Sequence, residues 1–149
     1  MTDLQELFDA REGAERILAD AKITLREAND RLRRAGLDAF MAGLAAKGIT
    51  EGSRIVIDGA WSGGWADRVR SLQHDHRPVI LRGVSVDSVP WTDPPKNSTC
   101  DRWWFRLTIA RINKNGTTID EYRHALVTGK TPEDAAREVA AFTEMEAPK

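Results

Sequence analysis

One cysteine, Cys100, is all that the 149 residues offer for cross-linking. That excludes an internal disulfide framework and fits a reducing compartment. No apolar run approaches the roughly 20 residues needed to cross a bilayer. The polar start MTDLQELFDAREG has no apolar stretch of the signal-peptide kind. The chain is therefore expected to be cytoplasmic, with no membrane as partner. There is also no block of like charge: 22 basic and 23 acidic residues leave a formal net charge of −1. Broad electrostatic capture of nucleic acid is accordingly not favoured.

Catalytic signatures are missing too. No CxxC, HExxH, Gly-x-Ser-x-Gly, P-loop or GxGxxG spacing occurs, and each of these carries a specific chemistry. Cys100 lies in a polar loop beside the acidic Asp101 and is not expected to act as a nucleophile. The one weak metal candidate is His74-Asp75-His76, in which His74 and His76 could share an ion on extended backbone. Zinc needs three or four ligands, and the sequence supplies no second pair. No cofactor is expected, and no enzymatic activity.

What the sequence does hold begins with a periodic first third. Leu4, Leu7, Arg11, Ala14, Leu18, Ala21, Leu25, Ala28, Leu32, Ala35 and Ala39 follow alternating steps of three and four. This is the heptad spacing of a coiled-coil seam, with leucine prominent in one row and alanine in the other. The spacing predicts a long helix, or a helical hairpin with Gly36 closing the first helix and Asp38 opening a second that ends at Gly48. Such a seam is covered either by the chain's own domain or by a second copy. In the second case Leu18, Leu25 and Leu32 carry self-association into a homodimer.

From residue 49 the pattern changes to strands. SRIVID (53–58) and RPVILRGVSVDSV (77–89) are rich in β-formers, with Gly83 marking a bulge. In DRWWFRLTIARI, Trp103, Phe105, Leu107 and Ile109 alternate with Trp104, Arg106, Thr108 and Ala110. Asn115-Gly116 is a strong hairpin turn signal. A two-residue turn there sets Ile109 opposite Tyr122, Leu107 opposite His124 and Phe105 opposite Leu126. KTPEDAAREVAAF reads as a last helix, with Thr131 as N-cap, Pro132 in the first turn, and Ala135, Val139 and Phe142 on its packing face. The expected fold is α+β: a helical arm over 1–48, then a small, mostly antiparallel sheet backed by a C-terminal helix over 49–149.

Function has to be read from the unabsorbed aromatics. GAWSGGWADR (59–68) places Trp61 between glycines and outside any periodic pattern, while Trp65 begins the spacing Trp65, Val69, Leu72. Trp61 is therefore expected on the surface, flanked by Arg68 and Arg70, and Trp65 in the core. Trp91 in the proline-rich loop, Trp104 and Arg106 complete a tryptophan/arginine set, the residue types that dominate protein–protein hot spots. The reading is a non-enzymatic protein-interaction module. Its small size and lack of recognisable chemistry would suit a phage or mobile-element accessory protein that binds a larger complex. The alternatives are nucleic-acid or nucleotide binding, through Trp103-Trp104 with Arg102 and Arg106 stacking on bases, and a small metal-dependent enzyme using His74 and His76. Against the former, the start of the last helix reads TPEDAARE, acidic where phosphate contact needs lysine.

Overall fold

Alanine, leucine, glutamate and arginine, the strongest helix formers, crowd residues 3–45, and these form one unbroken helix. A computed structural model describes residues 3–57, 79–112, 115 and 118–142, the side chains of 111 and 118–123 excepted. Helix α1 runs Asp3–Ala45. Acid–base pairs one turn apart support its exposed stretch, Glu12–Arg16 at 2.9 Å and Arg11–Glu15 at 3.6 Å.

The helix does not break at Gly36, contrary to the expected C-cap. Gly36 is buried within α1, and a Cβ there would overlap the Trp103 indole. The glycine is explained by close approach of that ring, not by chain reversal. Termination comes at Gly48 as expected. Its φ is +77°, Gly48 N–H donates to Ala45 O at 2.9 Å, and Ile49 N–H donates to Leu44 O at 3.0 Å. This pair of reversed bonds is a Schellman turn, and it sends Ile49 into the core.

Five strands follow: β1 (Arg54–Ile57), β2 (Val79–Ser88), β3 (Trp103–Ile112), β4 (Thr118–Gly129) and β5 (Val139–Ala141), with a short helix α2 (Pro132–Ala136) before the last. Their order in the sheet is β4-β3-β2-β1-β5, and every pairing is antiparallel. The architecture is α+β. The chain divides into two compact units, Met1–Arg34 and Ala35–Lys149.

Three local expectations meet the structure differently. Gly83 does coincide with a register shift between β2 and β3. The β3–β4 register, however, is offset from the one a two-residue turn implies. Ile109 pairs Arg123, Leu107 pairs Ala125 and Phe105 pairs Val127. Between that stretch and the Arg111–Ile119 pair, β4 spends three residues against one in β3, an irregularity that slips the register. A slip of one residue turns every side chain of a strand to the other face. Ala125 and Val127 are consequently buried, while His124 is exposed and Leu126 half-buried.

The last segment is the second difference. Thr131 caps as expected, its Oγ1 accepting from Asp134 N–H at 3.1 Å. The helix nevertheless stops at Ala136, and Val139–Ala141 adds to the edge of β1, with Ile57 opposite Val139. Val139 is β-branched and wholly buried, and it gains more on a pleated surface than in a third helical turn. Lys47 satisfies the carbonyls left at this junction, donating to Ala136 O at 2.7 Å and Val139 O at 2.9 Å.

One face of the sheet carries the core. Phe40 and Leu44 from the end of α1, with Ala135 and Ala136 from α2, close over Ile55, Ile57, Leu81, Phe105, Leu107 and Val127. Phe40 stacks on Phe105 with ring centroids 4.2 Å apart, and Trp103 lies parallel to Phe105 at 5.7 Å.

Candidate functional site

The alternation of β3 that buries Trp103 and Phe105 turns Trp104 and Arg106 to the opposite face of the sheet. There the chain between β2 and β3 folds back beside them. Trp91 N–H donates to Cys100 O at 2.7 Å, and the Trp104 indole Nε1–H donates to Thr99 O at 3.0 Å. The turn between these anchors runs through Asn97, whose φ of +61° is a left-handed conformation that asparagine tolerates better than most residues. Ser98 N–H donates to Pro95 O at 3.2 Å in the same turn.

The result is an open hollow of about 280 Å³ lined by Asp87, Ser88, Trp91, Thr99, Cys100, Trp104 and Leu126. Trp91 is 57% exposed, far more than a tryptophan in a packed core. At the rim Arg106 Nη2 donates to Asp87 Oδ1 at 2.6 Å. Leu126 enters the lining because the slipped β4 register sets it opposite Arg106.

Asp101 ties this loop to the end of β4. Its carboxylate accepts from Arg102 Nε at 3.1 Å and Lys130 Nζ at 2.5 Å. The bond from Lys130, and after it the bond from Arg102, hold the Asp101 pKa below its ordinary value of 3.8. A carboxylate with a depressed folded-state pKa stabilises fully above the unfolded value, and that contribution fades as pH falls through the folded one. Asp101→Asn should therefore be slightly less stable than the wild type near neutral pH. In urea denaturation the gap should shrink as pH falls below the ordinary value of 3.8, and close once the wild-type carboxyl is also protonated. A gap that persists in acid would mean that Asp101 acts by shape and not by charge.

Of the residues singled out from the sequence, Trp91 and Trp104 line one hollow, and Arg106 joins them through Asp87. Leu18, Leu25 and Leu32 lie on the arm, 55%, 61% and 43% exposed. Trp61, Trp65, Arg68, Arg70, His74 and His76 fall outside the described residues. Among the described residues no group of three or more His, Cys, Asp or Glu side chains could hold a metal ion. The nucleic-acid reading rests on Trp103 and Trp104 together, but Trp103 is 8% exposed and belongs to the core. Cys100, Thr99 and Asp87 escape sequence reasoning as lining residues. Their only signal is a long loop ending two residues before a second tryptophan, and such a signal does not say how the loop closes.

A helix long and apolar enough to cross a membrane is absent among the described residues. No family model, curated protein or solved structure matches the chain.

Proposed function

We propose that the protein is a non-enzymatic protein-interaction module, with the arm pairing to a second copy and the Trp91/Trp104 face meeting a larger protein. The observation that carries the reading is the exposure of an apolar row on α1 at heptad spacing, broken at Arg11. Leu4, Leu7, Leu18 and Leu25 are each more than half exposed. Isolated apolar side chains on a surface are ordinary, but a contiguous row at heptad spacing marks an interaction surface.

The second face has the chemistry of a protein contact. Two indoles and Leu126 supply apolar area, and at the rim Arg106 and Asp87 are already paired. Arg106 is neutralised by Asp87 at 2.6 Å, which suits a protein surface better than a phosphate backbone, where unpaired cations drive binding. Tryptophan beside arginine is the usual hot-spot composition.

One set of measurements tests both surfaces. By light scattering at tens of micromolar the full chain should have the mass of a dimer, and Leu25→Asp that of a monomer with its sheet domain still folded. Immobilised wild type should retain one discrete protein complex from its host, and Trp91→Ala should weaken that retention at least about tenfold without changing the mass. A monomeric wild type would sink the arm reading, and unchanged retention by Trp91→Ala would sink the reading of the face.

A further inference from the structure

We infer that the arm pairs with a second copy of itself in antiparallel orientation, an inference that rests on the self-association proposed above. The orientation follows from three features of the seam. The first is Arg11, which stands in the leucine row. A parallel, in-register pair would set Arg11 against Arg11, two like charges in an otherwise apolar seam. An antiparallel pair sets it against Ala28.

The second feature is size. In a parallel pair each row faces itself, so layers of two leucines alternate with layers of two alanines, too wide and too narrow in turn. In an antiparallel pair the rows face each other: Leu18 meets Ala21, and Ala14 meets Leu25. Large against small fills successive layers evenly, and the alanines let the two backbones approach closely. Leu7 then comes opposite Leu32. At that end Leu4, Leu7, Phe8 and Arg11 surround an apolar hollow of about 150 Å³. Four residues at i, i+3, i+4 and i+7 form the hole that a knob from a facing helix fills, and Leu32 of a second copy is the knob this register supplies.

The third feature is charge. Residues 3–20 hold six acids and two bases, while residues 21–34 hold five bases and two acids. Parallel arms would lay like against like, and antiparallel arms lay the acidic half along the basic half. Glu15 and Lys22 flank the seam on the same side, and the antiparallel register brings them together twice, once at each symmetry-related position. A parallel register pairs neither with an opposite charge.

Disulfide trapping in the full chain, with Cys100→Ser as background, distinguishes the orientations. Leu7→Cys and Leu32→Cys are oxidised separately and as an equimolar mixture, with the mass of each reduced chain taken by light scattering. The expected result is no covalent dimer from either variant alone and a linked dimer from the mixture. Linkage of each variant to itself means a parallel seam and overturns the inference. A dimer by mass that links in none of the samples places the contact elsewhere and also overturns it. A monomeric mass for the wild type removes the self-association itself, an outcome distinct from wrong orientation. If the Leu7→Cys chain proves monomeric when reduced, Glu15→Cys and Lys22→Cys replace the pair, with linkage again expected only on mixing.

Discussion

Replacing Phe105 by alanine should lower stability by roughly 3 to 5 kcal/mol. The ring is wholly buried at the centre of β3 and lies between two other aromatic rings, Phe40 at 4.2 Å and Trp103 at 5.7 Å. Truncation therefore removes transfer free energy and leaves a cavity that stiff neighbouring rings fill poorly. Trp104→Ala, one residue along and on the other face, is the control. Trp104 is only partly covered and holds its loop through one hydrogen bond to Thr99, so its loss should cost clearly less. Urea denaturation of both variants decides the matter. Equal losses would mean that the outer face is covered as tightly as the inner one.

The second large effect concerns a glycine. Gly36→Ala would ordinarily stabilise a helix, by up to about 1 kcal/mol. Here the added methyl would overlap atoms Cζ3 and Cη2 of the Trp103 indole. That ring is buried against Phe105 and cannot swing aside freely. Overpacking of this kind costs typically about 1 to 3 kcal/mol, which outweighs the helical gain, so the variant should be destabilised. Gly13→Ala supplies the opposite sign. Gly13 lies in the same helix with nothing within 4 Å of an added Cβ, and thermal melting should show equal or higher stability. A stabilised Gly36→Ala chain would show that the Trp103 packing is adaptable.

These two glycines show where sequence reading succeeds and where it fails. Periodicity survives folding whenever one face of an element decides its burial. The alternation from Trp103 to Ile109 is legible for that reason, and the Thr131 cap because it depends on residues three positions apart. Gly36 misleads because a glycine signals freedom locally, while its cause lies 67 residues away in Trp103. The β4 register is hidden because Asn115-Gly116 reports only the turn, not the irregularity between Ile109 and Arg111 that reassigns every later pair. Val139 could satisfy a helical or a strand pattern equally, and only the vacant edge of β1 distinguishes them. The hollow is half legible. Its tryptophans stand out by composition, but their juxtaposition depends on one backbone hydrogen bond and one indole hydrogen bond to the β2–β3 loop.

The replacement of the last turns of the expected final helix by β5 bears on how the sheet is protected from other molecules. An unpaired strand edge presents a row of free N–H and C=O groups on which another chain can polymerise. Here β1 would be that edge, with the apolar sequence Ile55-Val56-Ile57 along it. Val139–Ala141 occupies it over its full apolar length, pairing with each of those three residues. The shield itself is only three residues long, too short to serve as a good template in turn. Colloidal behaviour at this end of the sheet thus depends on the same short segment that contributes Val139 to the core. Loss of that segment by proteolysis would bare the Ile55-Val56-Ile57 edge to aggregation as well as remove Val139 from the core.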